Sequence, residues 1–182
     1  MKQKIISLEN LQRILAKKKE IGKKIVLCHG VFDLLHIGHI KHLEEAKNFG
    51  DILVVTLTSD IYVNKGPGRP AFIEKLRLEA IAALDIVDYV ALNLSPTAVS
   101  VIQKIKPNIY CKGLEYKNHQ NDISGQIKKE INAIKKVGGK IVYTRGITFS
   151  SSKFINLNEN RSDLHKLLIK KIKKNYTFPK IR

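Results

Sequence analysis

Apolar residues along the chain follow two alternating rhythms. Short, nearly uninterrupted apolar runs at 25–28, 52–57, 87–92, 108–111 and 140–143 read as strands buried on both faces, the pattern of a parallel sheet. Between them, over about 38–49, 74–85, 96–105 and 124–137, apolar positions recur at helical spacing. A further amphipathic stretch precedes the first strand, with Leu8, Leu11, Ile14 and Leu15 at helical spacing, then a lysine-rich end and Gly22. Ser95-Pro96 has the form of a helix start, serine as N-cap and proline in the first turn. Gly138-Gly139 has the form of a stop. This alternation predicts an α/β fold, a Rossmann-like doubly wound parallel sheet of about five strands with right-handed crossovers. Such sheets bind ligands beyond the carboxyl ends of their strands, near the point where strand order reverses. The loops after Cys28, Leu57, Cys111 and Tyr143 are therefore the informative ones.

At 182 residues the chain has room for one domain with a substantial core. The pattern divides it into an amphipathic helix within 1–24, a domain over 25–156 and a basic tail over 157–182 with a helical pattern at 164–172. The loop 113–123 is polar and aperiodic, and no internal repeat stands out. No apolar run approaches bilayer length, and the opening MKQKIISLENLQ lacks the pattern of a signal peptide, which predicts a cytoplasmic location. Cys28 and Cys111 lie in apolar segments and read as free buried thiols. The formal charge of +17 invites a nucleic-acid reading, so its distribution matters. Residues 1–24 carry eight Lys/Arg against two acids and 161–182 eight against one, while 25–160 carry seventeen against thirteen. The excess sits in the two arms, where lysine-rich solvated faces are the simpler reading. Neither a specific nucleic-acid partner nor a membrane span is predicted.

The richest loop reads Cys28-His29-Gly30-Val31-Phe32-Asp33, then Leu34-Leu35-His36-Ile37-Gly38-His39 into a helix. A helix N-terminus offers unpaired N–H groups and partial positive charge, which favour phosphate. Gly30 and Gly38 lack a Cβ and would let backbone approach a ligand closely. His36 and His39, three apart in the first turn, can both face one bound anion and donate hydrogen bonds to it. A zinc site is the competing reading, since His29, His36, His39 and His42 offer four imidazoles. Zinc needs convergent ligands, however, and no Cys or acid pair stands at customary spacing, so no metal ligand is assigned. His29 reads as a strand-end residue and His42 as a solvated helix residue.

"GVFDLLHIGH" resembles the HxGH-type signature of the cytidylyltransferase-like nucleotidyltransferases, most closely the adenylyltransferase domain of ADP-heptose synthases and next the glycerol-3-phosphate cytidylyltransferases. The resemblance runs from about Ile25 to Asn156 and rests on further segments in order. In "VNKGPGRPAFIEKLR" Lys65 precedes a Gly-Pro-Gly turn, Arg69 follows it and Arg77 lies at a helix start, similar to the family's Lys-Gly-x-x-Arg-Pro stretch and its arginine ahead of Val87-Asp88. "IYCKGLEY" resembles the family's Lys-Gly-Gly-Asp-Tyr: Lys112 and Gly113 match, while Leu114 and Glu115 replace Gly and Asp. "TRGITFSSSKFIN" resembles an Arg followed by a hydroxyl run at a helix start, with Arg145 and Ser150, Ser151 and Ser152. Thr148 replaces a family glycine and suits a positive φ poorly.

The resemblance implies direct nucleotidyl transfer. A phosphomonoester oxygen attacks the α-phosphorus of a nucleoside triphosphate, and pyrophosphate leaves. His36, His39, Lys65 and Arg77 are the candidate catalytic residues. Gly30, Val31, Phe32, Gly38, Lys112, Gly113, Arg145 and Ser150–Ser152 are the candidates for holding the nucleotide, and Asp33, Arg69 and Glu115 stand on the substrate side. Asp33 reads as fixing its loop through backbone N–H groups rather than as a base. Mg²⁺ is implied with the triphosphate. The favoured pair is ATP with a sugar phosphate, giving a nucleotide sugar for cell-surface polysaccharide or lipopolysaccharide. The alternatives are CTP with a polyol phosphate such as glycerol 3-phosphate, and a non-catalytic nucleotide-binding regulator. A tRNA synthetase is disfavoured, since the chain has no Lys-Met-Ser-Lys-Ser loop and no room for an anticodon-binding domain. A homodimer and a sugar-kinase partner or lost fusion belong to the same expectation.

Overall fold

The computed structural model describes residues 4–64, 68–117 and 126–145. They belong to one compact unit, Met1–Phe149. Five parallel strands form a single sheet: β1 (Ile25–Gly30), β2 (Ile52–Thr58), β3 (Tyr89–Asn93), β4 (Ile109–Gly113) and β5 (Lys140–Thr144), in the order β3-β2-β1-β4-β5. The order reverses between β1 and β4, so the loops that leave these two strands diverge and open a crevice at the carboxyl edge. Helices α1 (Leu8–Glu20), α2 (Ile37–Lys47), α3 (Glu74–Ala82), α4 (Val99–Ile105) and α5 (Ile127–Lys136) supply the two covering layers.

Strand residues alternate between two cores. Ile25, Leu27, Val54, Ala91 and Tyr110 pack against α1, α4 and α5, through Leu11, Leu15, Val101, Ile102, Ile105, Ala133 and Ile134. Val26, Cys28, Leu53, Val55, Leu57, Val90 and Cys111 pack against α2 and α3, through Leu43, Ala46 and Ile81. Burial on both sides explains why the strands read as continuous apolar runs. The helix α1 is capped by Ser7, whose side chain accepts from the Asn10 N–H, and carries Glu9 in its first turn and Lys17–Lys19 in its last. Leu11 and Leu15 are wholly buried, so α1 is part of the domain's own core rather than a segment beside it.

Two boundaries differ from the sequence pattern and a third agrees with it. Residues 87 and 88 are a turn feeding β3, because the Val87 N–H goes back to the Leu84 carbonyl and the Asp88 carboxylate accepts from the Leu53 N–H at 2.7 Å. The Ser95-Pro96 pair does not begin α4. Asn93 Nδ2 donates to the Ser95 and Thr97 carbonyls, holding 95–97 as a turn, and the helix starts at Val99 with Ala98 as an N-cap that lacks a capping side chain. Gly138 does end α5, at φ 78°, with the N–H groups of Gly138 and Gly139 closing onto the carbonyls of Lys135 and Ile134. The expected helix at 164–172 and most of the loop 113–123 lie outside the described residues. No helix among the described residues is long and apolar enough to cross a membrane.

Candidate functional site

The chain leaves β1 at Gly30 and reaches α2 through two left-handed residues, Phe32 at φ 49° and Leu34 at φ 48°. Neither is glycine, so tertiary contacts must hold them there. Phe32 folds back over Gly30, where a Cβ would lie 3.2 Å from its ring. The space at Gly30 is therefore taken by Phe32 and is not the open backbone approach that the sequence suggested. Asp33, between the two left-handed residues, is buried and accepts the Ala71 N–H at 2.9 Å and the Phe72 N–H at 3.1 Å. It also pairs with Arg69, Nε to Oδ2 at 3.0 Å, with both side chains almost wholly inaccessible. The Arg69 Nη1 and Nη2 groups are buried with no hydrogen-bond partner among the described residues.

Arg77 is more deeply engaged. Its Nε donates to the Phe72 carbonyl at 3.0 Å, Nη1 to the Val31 carbonyl, and Nη2 to the Thr58 carbonyl at 2.9 Å and to Asp60 Oδ1 at 2.6 Å. One guanidinium thus ties the loops after β1 and β2 to the segment that enters α3. At 2% exposure it faces the protein's own oxygens, so it shapes the site rather than presenting a fork to a ligand.

His36 is the N-cap of α2. Its Nδ1 accepts from the Gly38 N–H at 3.1 Å, which leaves Nε2 as the protonated nitrogen. Burial lowers its pKa, so the neutral ring is favoured. The rings of His36 and His39 stack at 3.8 Å with 21° between their planes, and the edge of Phe32 meets His39 at 5.4 Å and 64°. Gly30, Phe32, His39 and His36 therefore form one stack that orients two imidazoles at the N-terminus of α2.

A second polar cluster underlies the same edge, on the face covered by α4 and α5. His29 is buried with Nδ1 3.0 Å from Thr56 Oγ1 and Nε2 3.3 Å from Thr58 Oγ1. Lys112, at the end of β4, lies 3.5 Å from the His29 carbonyl, 3.4 Å from Glu130 Oε2 and 4.5 Å from the Tyr116 ring centre. Burial and the Lys112 charge push the His29 pKa down to about 4. His42 meets the same fate for the same two reasons, down to about 4. It is not a solvated helix residue: it faces β5 and its Nδ1 lies 2.7 Å from Thr144 Oγ1. Next along the chain, the Glu45 carboxylate accepts the Arg145 N–H at 2.9 and 3.1 Å, fixing where the chain leaves β5. The Glu115 carboxylate folds back over Gly113, well inside the distance a Cβ would tolerate.

Of the residues singled out in sequence, His36, His39, Gly30, Val31, Phe32, Asp33, Gly38, Arg69 and Arg77 meet around the β1–α2 loop, and Lys112, Gly113 and Glu115 around the end of β4. Lys65, Thr148, Ser150, Ser151 and Ser152 lie outside the described residues. Sequence reasoning missed His42, Glu45 and Glu130. His42 continues the three-residue spacing of His36 and His39, and Glu130 is a lone acid among the apolar positions Ile127, Ala133 and Ile134; both signals were readable. Among the described residues no three His, Cys, Asp or Glu side chains converge to hold a metal ion.

The sequence model of the cytidylyltransferase-like family matches residues 27–157. Bifunctional protein HldE of Aliarcobacter butzleri is 40% identical over 139 residues, 75% of this chain and 29% of that protein. HldE of Geobacter metallireducens is 39% identical over 140 residues, covering 76% and 27%. The chain thus spans under a third of the length of these curated relatives. Among solved structures, a lipopolysaccharide core biosynthesis protein from Thermoplasma volcanium is 32% identical with a TM-score of 0.58, covering 70% of this chain and 100% of its own. The pantoate-β-alanine ligase of Francisella tularensis, 18% identical with a TM-score of 0.59 over 97% of this chain and 81% of its own, shares the fold.

Proposed function

The chain belongs to the cytidylyltransferase-like family, and we propose that it joins ATP to a sugar phosphate, releasing pyrophosphate and forming an ADP-sugar. A phosphate oxygen of the sugar attacks the α-phosphorus in line; the bond to the β-phosphate breaks as the new one forms, and pyrophosphate carries away the electron pair. Such a reaction needs positioning and charge stabilisation rather than a covalent nucleophile. The observation that carries this reading is the stacked His36–His39 pair at the N-terminus of α2, set where the strand order reverses. His36 Nε2–H and His39 would donate to the α-phosphate as charge builds on it, assisted by the helix N-terminus. Arg69, held through Nε by Asp33, has two buried Nη groups that suit the oxygens of the sugar phosphate. Lys112 would supply a cation at the end of β4, and Lys65 with Ser150–Ser152 would take the triphosphate. Arg77 and Asp33 keep the loops in register.

Mg²⁺ enters this reading with the triphosphate that carries it. The sugar favoured is one destined for lipopolysaccharide, on the likeness to the Thermoplasma volcanium protein. A reaction that phosphorylates the sugar must come first, so a sugar kinase is the partner activity, and a cytoplasmic setting would supply the triphosphate. The test is pyrophosphate release over a matrix of four nucleoside triphosphates against sugar 1-phosphates and polyol phosphates. Release confined to ATP with sugar 1-phosphates is expected. Release with CTP and glycerol 3-phosphate would replace the substrate assignment, and nucleotide binding without release on any pair would replace the enzyme with a regulator.

A further inference from the structure

Glu130 stands on α5, far in sequence from every motif of the site, yet its carboxylate meets three groups on two other elements at once. Oε1 accepts the Ala98 N–H at 3.0 Å, Oε2 accepts the Tyr110 hydroxyl at 2.8 Å, and Oε2 lies 3.4 Å from Lys112 Nζ. Tyr110 and Lys112 are two apart on β4 and so share the face that α5 covers. We propose that Glu130 is a positioning residue for the transfer reaction, setting through Lys112 where the ammonium stands at the end of β4. The proposal rests on the nucleotidyl-transfer reading above.

The argument turns on why a charge is kept there. The Ala98 N–H, at the N-cap of α4, lies ahead of the helix's own hydrogen bonds and takes its acceptor from another element. A neutral acceptor would serve it without burying an acid. Glu130 instead sits in the core, 4% exposed, beside Ile127, Ala133 and Ile134. A carboxylate there is costly unless its charge is matched. Lys112 matches it. Burial works to raise the Glu130 pKa, but Lys112, His29, the Ala98 N–H and the Tyr110 hydroxyl outweigh it and hold the carboxyl below its ordinary range. On a four-carbon stem an ammonium would otherwise sample many positions. Glu130 on one side, with the His29 carbonyl and the Tyr116 ring on the others, holds it at the carboxyl edge.

Glu130→Gln separates the charge from the hydrogen bonds, because the amide oxygen can still accept from Ala98 and the NH₂ can still face Tyr110. Two readouts test the proposal on the full chain. In pyrophosphate release, E130Q should lower kcat/KM for the triphosphate about tenfold, E130D should restore most of it, and E130Q placed on a K112M background should cost under about twofold more. An equal tenfold loss on the K112M background would overturn the proposal, since Glu130 would then act without Lys112. The second readout needs no turnover: acylation by acetic anhydride, followed at Lys112 by mass spectrometry. E130Q should make Lys112 react several-fold faster while Lys104 is unchanged, and an unchanged Lys112 would overturn the tether. If the wild type released no pyrophosphate from any pair, the reaction reading alone would fall, and the acylation result would still decide the tether. Circular dichroism confirms that each variant is folded, and E130D with K112M carries the test if E130Q is not.

Discussion

Lowering the pH from 7 to 5 loads a proton onto the histidines of the unfolded chain, but not onto His29 or His42 of the folded one. Both are depressed from 6.5 to about 4 by burial and by the nearby Lys112 charge. The unfolded state therefore binds more protons throughout the window between 4 and 6.5, and stability falls as pH falls through it. For a single group with these two values the loss between pH 7 and pH 5 comes to about 2 kcal/mol. His29 should give that full amount, and His42, which is less completely enclosed, somewhat less. The perturbation that isolates one term is His29→Asn, which does not titrate and retains an amide near the position of Nδ1 to meet Thr56. Urea unfolding at the two pH values gives each protein's loss of stability. Whatever the variant's absolute stability, its loss between pH 7 and 5 should be smaller than the wild type's by about 2 kcal/mol. Equal losses in the two proteins would refute the claim that His29 is held neutral in the fold.

Four further outcomes follow from the contacts described. His36→Asn keeps an acceptor for the Gly38 N–H but removes the Nε2 donor, so pyrophosphate release should fall by at least about 100-fold at nearly unchanged urea midpoint, whereas His36→Ala should also lose about 1 kcal/mol of stability. His39→Ala should show a similar fall in turnover with little change in unfolding, and near-wild-type release would exclude it from the transfer step. Arg77→Lys keeps the charge but cannot serve the Phe72, Val31 and Thr58 carbonyls together, and should destabilise by about 3 kcal/mol in thermal or urea unfolding. Gly139→Ala places a Cβ 2.4 Å from the Pro107 carbonyl oxygen, which is backbone and cannot step aside, so about 2 kcal/mol or more of stability should be lost.

The architecture was legible because burial on both faces writes itself into sequence as uninterrupted apolar runs, and all five strands did so. The HxGH segment was legible for a similar reason, since its histidines and glycines are rare together and adjacent in sequence. What could not be read was anything that depends on two distant segments meeting. The glycine at 30 looked like room for a ligand until Phe32, two residues on, was seen folded over it. Arg77 looked like a ligand fork, yet three of its four partners are carbonyls at 31, 58 and 72, which carry no residue-specific signal, and the fourth, Asp60, lies on the loop after another strand. Ser95-Pro96 carries the right letters for a helix start, but Asn93 claims the carbonyls of that turn and Glu130, from another helix, accepts the N–H of the actual N-cap residue, Ala98. His42 and Glu130 did leave marks, a third histidine in step and an acid on an apolar face, but each has an ordinary surface explanation until the fold places it.

The bridge between Ile5 and Val90 runs alongside β3, with the Ile6 N–H and the Lys4 carbonyl both bonded to Val90. Its consequence is one of timing. Lys4–Ile6 precede every strand of this sheet, yet the edge they cover is not made until β3 follows, so this segment must wait through two intervening strands before it can dock. Until it does, β3 presents an open row of N–H and C=O groups to any other chain nearby. Folding yield at high concentration should therefore depend on three residues that touch nothing in the site.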